Sequence, residues 1–343
     1  MSDFSERVLR WFDQHGRKDL PWQQNINPYR VWISEIMLQQ TQVQTVIPYY
    51  ERFMQSFPDL LSLADADNDA VLQHWSGLGY YARARNLHKA SQVIRDNYDA
   101  EFPVTFDDVI GLPGIGRSTA GAILAIARDE KHSILDGNVK RVLARHAAVA
   151  GWPGKTDVAK QLWAVADART PQRRVADYTQ AIMDLGATMC TRSKPDCGAC
   201  PVASDCAARL ADDVASYPGR KAKKAKPLRK TTMVIALDEQ SVYLQRRPPV
   251  GIWGGLWSLP EVSDVSDWCR EILDQEPGDA ESRDVLRHSF SHFDLDIHPV
   301  LVRVKAGSRR VSDAADTTWY PLHDKPPGGI AAPVQQIIDS LKT

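Results

Sequence analysis

Between residues 1 and 217, apolar positions return every three to four residues, and the runs are broken at Pro and Gly. That spacing gathers apolar side chains on one face of a helix, so the stretch predicts helix after helix. Residues 5–14 are amphipathic in this sense, and Leu20-Pro21-Trp22 interrupts the pattern. Asn27-Pro28 supplies an N-cap and a first-turn proline. The helix they start is expected to run through P-Y-R-V-W-I-S-E-I-M-L-Q-Q-T-Q-V-Q-T-V-I to Ile47. Trp32, Ile36, Val43 and Ile47 would form its core stripe, while Glu35, Gln39 and Gln42 share another face at i, i+4 and i+7. After Lys230 the texture changes. T-T-M-V-I-A-L, S-V-Y-L-Q-R-R and H-P-V-L-V-R-V are β-rich runs between Pro/Gly turns, and residues 268–273 and 333–341 have helical spacing. The chain therefore reads as an all-α domain over 1–217, a connecting stretch over 218–230 and an α+β domain over 231–343.

Composition adds little to this, but the placement of charge and cysteine adds more. With 343 residues, 43% of them apolar and 25% charged, the chain has room for two soluble domains. No apolar run approaches the ~20 residues that span a bilayer, and the opening M-S-D-F-S-E-R lacks the apolar core of a secretion signal. A cytoplasmic protein with no membrane partner is expected, and in a reducing compartment its cysteines would be ligands or free thiols. The net charge is −1. Residues 220–230 nevertheless hold seven Lys/Arg and no acid, against 11 basic and 17 acidic residues over 231–343. A basic connector of this kind suits steering toward phosphate, or simply a solvated tether.

Five stretches carry candidate chemistry. I-G-L-P-G-I-G-R-S-T-A-G-A-I-L-A-I-A, from Ile110, has the pattern of a tight hairpin opening into a small-residue helix. Gly111, Gly114 and Gly116 would permit positive φ and close backbone approach, and the leading N–H groups could hold an anion; an ordinary packing corner would look similar. Asp136, in I-L-D-G-N, is placed to cap a helix over 139–150. Glu35 has Val31, Trp32 and Leu38 as helical neighbours, and apolar surroundings raise a carboxyl's pKa and keep it protonated near neutrality, as a general acid requires. H-W-S-G-L-G-Y-Y-A-R-A-R, from His74, is a glycine-bounded turn with two tyrosines and two arginines. It suits wedging into a base stack and gripping phosphate, or a core tyrosine beside surface arginines. Cys190, Cys197, Cys200 and Cys206 make C-x6-C-x2-C-x5-C, a spacing that favours a cubane iron–sulfur cluster over zinc. Its first loop brings Arg192 and Lys194, while Cys269 stands alone.

Together, W-I-S-E-I-M-L-Q-Q-T-Q-V, G-L-G-Y-Y-A-R-A-R, L-P-G-I-G-R-S-T-A, I-L-D-G-N-V-K-R-V and the cysteine loop closely resemble the MutY-type adenine DNA glycosylases of the helix–hairpin–helix base-excision superfamily. The resemblance implies a helical glycosylase domain with its hairpin at about 108–128 and a [4Fe-4S] loop at 190–206. The implied partner is double-stranded DNA with adenine opposite 8-oxoguanine or guanine, and a monomer, nucleoid-associated when bound to DNA, is expected. It implies Glu35 as the acid that protonates adenine N7, Asp136 as the ionised carboxylate that stabilises an oxocarbenium-like sugar, and Asn138 beside it. DNA contacts are expected from Gln39, Gln42, Tyr80, Arg83, Leu112, Gly114, Gly116, Ser118, Lys140, Arg192 and Lys194. Ser118 stands where endonuclease III-type relatives carry a lysine nucleophile, so strand cleavage is not expected, with Lys140 the nearest weak substitute. The last third resembles a Nudix (MutT-like) fold. Gly255 and Glu261 have the G-x5-E spacing of its signature, but the following acidic pair is absent, since Arg270–Gln275 runs R-E-I-L-D-Q. This domain is therefore expected to read 8-oxoguanine through Phe290, Ser291 and His292.

Overall fold

The computed structural model describes residues 3–222, 225–304 and 316–342. By its contacts the chain forms two compact units: Met1–Asp65 with Asn86–Lys223, and Ala66–Arg85 with Lys224–Thr343.

The first unit is helical. Its helix Pro28–Leu38 starts as the sequence requires, with Asn27 Oδ1 accepting from the Arg30 N–H and Pro28 in the first turn. It buries Trp32, Ile33 and Met37 and packs against the helix Arg117–Arg128. That neighbour can come close because its inner face is Ala120, Gly121, Ala122 and Ala125; a Cβ on Gly121 would stand 2.7 Å from the Ser133 carbonyl oxygen. The same helix packs on Val175–Asp184, which in turn receives Asp3–His15. The long helix expected to reach Ile47 is two. Pro28–Leu38 ends at Gln39, Gln40 adopts a left-handed φ of +58°, and Gln42 opens the helix Val43–Ser56. Four consecutive polar residues, Gln39 to Gln42, offer no apolar side chain to hold a turn against the core. The second helix therefore turns Val46, Tyr50 and Phe53 inward, leaving Val43 and Ile47 only half-buried.

The hairpin joins Phe106–Gly111 to Arg117–Arg128. Of its three glycines only Gly114 uses positive φ, at +79°, and Asn86 Cβ lies 2.7 Å from where a Cβ would be. Gly116 is instead the N-cap of the second helix. The helix that follows Asp136 runs Gly137–His146, shorter than expected because the chain turns left-handed at Ala148.

The second unit is built on a sheet with eight strands among the described residues: β1 (Leu228–Asp238), β2 (Ser241–Arg246), β3 (Trp257–Ser258), β4 (Glu261–Val262), β5 (Glu281–Ser282), β6 (Leu286–Ser289), β7 (Asp294–Arg303) and β8 (Thr317–Pro321). β1 and β7 pair in parallel from Leu228–Asp294 to Leu237–Arg303, and the remaining pairings are antiparallel. On one face Val234, Ala236, Tyr243 and Val302 enclose Cys269 and Leu273, which makes the lone cysteine a core residue. The helix Ala332–Asp339 buries Val334, Ile337 and Ile338.

Residues 66–85, part of the stretch read as the helical domain, group by their contacts with this unit. Asp69 accepts both terminal nitrogens of Arg246, at 2.7 and 2.6 Å, Ser76 Oγ donates to the Ile330 carbonyl, and Arg85 Nη1 donates to the Gly254 carbonyl at 2.6 Å. Helical periodicity marks a buried face but not the core that buries it. The basic connector is also shorter than its composition suggests. Gly219 N–H is bonded to Gly151, Leu228–Lys230 already belong to β1, and Lys223 and Lys224 lie outside the described residues.

Candidate active site

A cavity of about 380 Å³ in the helical unit brings together Glu35, Gln39, Ser118, Asp136 and Asn138, five residues from three sequence motifs. Glu35 enters it from Pro28–Leu38, with Ser34 and Ile36 buried on either side. Burial, and secondarily the negative charge of Asp136, pushes its carboxyl up to about 8. Glu35 also borders a second cavity of about 220 Å³, sharing Trp22 and Gln180 with the first.

Asp136 caps the helix Gly137–His146. Its Oδ1 accepts the Val139 N–H at 2.7 Å, and its Oδ2 accepts from Asn138 Nδ2 at 3.3 Å. Burial raises its pKa, opposed by bonds from Val139 and Asn138 and by the charges of Arg141 and Lys140. The expected hydrogen bonds are present, but burial outweighs them. The two carboxyls nevertheless differ in kind, since the upward push on Asp136 is opposed by donors and cations and the push on Glu35 is not. Asn138 is fixed in turn, its Oδ1 accepting from Arg141 Nη2 at 2.8 Å. Ser118 Oγ accepts the Leu135 N–H at 2.9 Å, tying the hairpin helix to the strand of chain that leads into Asp136. Gln39 Nε2 donates to Thr119 Oγ1 at 3.4 Å.

Other cavity residues, among them Arg17, Trp22, Gln180 and Asp184, escape the motif reading. Asp184 is 2% exposed, and it accepts from Arg17 at the backbone N (2.8 Å), Nε (3.0 Å) and Nη2 (2.5 Å). An Arg-Lys-Asp run before Leu20-Pro21-Trp22 reads as a solvated loop. Only the distant Asp184, in an otherwise apolar helical run, hints at a buried partner.

Several expected DNA contacts have other duties. Leu112 is buried, whereas Gly114 and Gly116 expose backbone at the hairpin. Arg192 and Lys194 are exposed, and Gln42 is exposed at its helix start. Lys140 is half-buried and does not line the cavity. In the second unit, Tyr80 stands 51% exposed on a left-handed residue at φ +50°, after Gly77 and Gly79 at +91° and +74°. Arg83, expected at phosphate, is turned back: it donates to the Leu78 and Gly79 carbonyls and lies 5.4 Å from both the Trp75 and Tyr80 rings. Burial lowers its pKa to about 10. It stiffens the turn that presents Tyr80.

The four cysteines line one pocket with Val142, Arg145 and Met189. Among the described residues no group of three or more His, Cys, Asp or Glu side chains closes on a single-ion site. Four thiols on one pocket are the donor set that a multi-iron group takes. Arg145 Nη1 donates to Cys190 Sγ at 3.3 Å and to the Thr191 carbonyl, Nη2 to the Arg192 carbonyl and Nε to the Tyr217 carbonyl. A guanidinium here offsets the charge of clustered thiolates and fixes the loop that carries them. Burial pushes the Cys200 thiol up to about 11, a cost that coordination to iron would remove.

In the second unit, Phe290 is half-buried while Ser291 and His292 are exposed on the β6–β7 hairpin. Glu261, at the G-x5-E position, is held at 2.7 Å by Arg247 Nη1 and accepts from Thr231 Oγ1 at 2.6 Å.

The helix–hairpin–helix superfamily of base excision DNA repair proteins matches residues 33–168, the iron–sulfur binding domain of endonuclease III matches 190–206, and a NUDIX domain matches 231–340. An adenine DNA glycosylase of Buchnera aphidicola subsp. Acyrthosiphon pisum (strain APS) is 39% identical over 342 residues, covering 99% of this chain and 97% of its own. The chain belongs to the adenine DNA glycosylases. The human adenine DNA glycosylase is 36% identical over 315 residues, covering 76% of this chain and 57% of its own. Among solved structures, that of a thermostable thymine-DNA glycosylase shares the fold, with a TM-score of 0.54 at 24% identity over 61% of this chain and 95% of the other. As a member of this family the chain is a DNA-binding base-excision enzyme acting on adenine, and its cofactor is a [4Fe-4S] cluster. Among the described residues no helix is long and apolar enough to cross a membrane.

Proposed function

We propose that this glycosylase hydrolyses the N-glycosidic bond of adenine paired with 8-oxoguanine or guanine, without cutting the strand. The observation that carries this reading is the pair of carboxyls on one cavity, Glu35 raised to about 8 and Asp136 bonded to Val139 N–H and Asn138. Cleavage leaves negative charge on the base and positive charge on the sugar, and two carboxyls of opposite protonation answer both.

The adenosine first leaves the stack, at a cost of a few kcal/mol. Glu35, protonated at neutral pH, gives its proton to adenine N7. The C1′–N9 bond then breaks with its electron pair moving onto the base. Asp136 stabilises the resulting oxocarbenium ion. Water adds its oxygen to C1′, and its proton returns to the carboxyl pair. Asn138, clamped by Arg141, keeps Asp136 aimed at the sugar. Tyr80 and Gln39 fill or wedge the gap, and the Gly114–Gly116 backbone holds phosphate, with Gln42, Lys140, Arg192 and Lys194 adding contacts. Cys190, Cys197, Cys200 and Cys206 would hold the cluster, which supplies a fixed, loop-ordering anchor. Ser118 is already an acceptor for Leu135 N–H and, having no amine, cannot form a Schiff base. In the second unit Phe290, Ser291 and His292 read the N7–H and C8 oxygen that oxidation adds to guanine. The ion pair at Glu261 supports a reader, because a carboxylate engaged by a guanidinium is not offered to Mg²⁺.

The deciding experiment is single-turnover adenine release from a duplex with A opposite 8-oxoguanine, split into alkali-treated and untreated samples. Cleavage only after alkali is expected. Cleavage without alkali would make a lysine, Lys140 first, the nucleophile, and binding without release would remove Glu35 and Asp136 from the chemistry.

A further inference from the structure

The Phe290-Ser291-His292 triplet sits on a short hairpin closed by the Phe290 N–H to Phe293 carbonyl bond at 2.9 Å. Within that hairpin Phe290 stacks on Phe293, with centroids 4.5 Å apart and planes 24° apart, and meets His288 edge-on at 4.6 Å. Three residues reach it from outside. Lys226 Nζ donates to the Phe290 carbonyl at 2.7 Å, and Arg229 lies 4.5 Å over the Phe293 ring. The third, Trp253, meets the Phe290 ring itself at 5.5 Å and the His288 ring at 5.6 Å.

Trp253 is held in a costly way. Its φ is +52°, a left-handed conformation that bulky L residues rarely adopt. The loop around it is fastened by Arg247 Nε to the Ile252 carbonyl (2.8 Å), Leu256 N–H to the Trp253 carbonyl (3.0 Å), Gly255 N–H to the Pro248 carbonyl (3.0 Å) and Arg85 Nη1 to the Gly254 carbonyl (2.6 Å). Gly254 admits no side chain, since its Cβ would stand 2.7 Å from the Pro249 oxygen. The ring is only 8% exposed and carries the Arg247 guanidinium at 5.9 Å. A backbone held off its preferred conformation by surrounding bonds marks a side chain whose direction matters. Here that direction is toward Phe290.

We propose that Trp253 is a positioning residue for recognition of the oxidised base, fixing the Phe290 ring so that Ser291 and His292 are presented in one orientation. The inference rests on the reading of that triplet as the 8-oxoguanine reader. It also gives the second arginine of G-L-G-Y-Y-A-R-A-R, Arg85, a role: through Gly254 it anchors the loop that carries Trp253.

The test uses the full chain with its cluster, as Trp253→Ala, Trp253→Phe and Phe290→Ala. Single-turnover excision is measured on duplexes with A opposite 8-oxoguanine and A opposite guanine. Affinity is measured on the same duplexes carrying a non-cleavable 2′-fluoro adenosine. Trp253→Ala should reduce the preference for 8-oxoguanine about tenfold, the size of one lost aromatic pair, mostly at the 8-oxoguanine duplex. Trp253→Phe, which keeps a ring there, should restore most of it. Equal losses on both duplexes, unrepaired by phenylalanine, would reduce Trp253 to a core residue and overturn the proposal. A full preference in Trp253→Ala together with a lost one in Phe290→Ala would overturn it while leaving the reader in place. A full preference in both would sink the reader itself.

Discussion

In the proposed reaction Glu35 is useful for the same reason that it is costly to the fold, its buried carboxyl. An ordinary glutamate loses its proton near 4.5, and this one holds it to about 8. Excision should therefore fall as pH rises through about 8, as the acid is lost. It should also fall at low pH, where Asp136, itself raised by burial, takes up a proton. A flat profile from pH 6 to 9 in single-turnover assays would contradict the general-acid role of Glu35. Glu35→Gln should abolish excision and keep duplex binding, because it removes the proton source and little volume. The same change bears on stability. A carboxyl whose folded pKa is raised favours folding below its unfolded value, and that advantage is lost as pH rises toward the folded value. Above about pH 5 the folded protein thus carries a growing cost that glutamine does not. Glu35→Gln should unfold at higher denaturant than the parent, by more than ~1 kcal/mol at pH 8 and by little at pH 4. Glu35 and Asp136 were legible in the sequence because apolar neighbours and a turn mark them. Arg17 and Asp184 were not, because an ion pair between residues 167 positions apart leaves no local pattern.

At the scale of elements, the caps at Asn27 and Asp136 and the Gly114 turn follow directly from residue type, and the sequence showed them. The break at Gln39–Gln42 did not show, because the polar run still satisfied helical spacing on one face. The close approach of Gly186 to Asn138 was equally invisible. A Cβ on Gly186 would lie 2.6 Å from Asn138 Cβ and 2.9 Å from its backbone C and O, where no rotamer change gives relief. The Gly186 carbonyl also accepts from Arg141 Nη2 at 2.6 Å. Gly186→Ala should destabilise by about 1–3 kcal/mol, as overpacking does. Because the displaced group is Asn138, the excision rate should fall further than DNA affinity. Unchanged thermal unfolding and unchanged rate in this variant would show that the two segments have room to part.

Across the whole molecule, two kinds of order were legible, helical periodicity followed by strand alternation, and they match the change from helices to sheet along the chain. They gave no sign of the bonds that residues 66–85 make to Arg246, Ile330 and Gly254, all far along the chain. Cooperation between distant segments has no signature in one sequence. The sheet unit, for all its NUDIX likeness, should act without metal. Added Mg²⁺ and oxidised nucleoside triphosphates should yield no pyrophosphate, and Arg247→Ala, which releases Glu261, should yield none either. Pyrophosphate from either protein would refute the reader assignment.

The Arg247–Glu261 pair also bears on where this domain can go over generations. Arg247 neutralises Glu261, bonds the Ile252 carbonyl, faces the Trp253 ring, and through its backbone N–H and carbonyl oxygen secures Leu256 and Gly255. A variant that gained a metal site at Glu261 would have to vacate that carboxylate, and replacing Arg247 to do so would loosen the loop around Trp253 before any metal site existed. The intermediate forms would have lost one activity without gaining another. One side chain thus ties the occupied carboxylate to the loop that carries Trp253, so the two cannot vary independently.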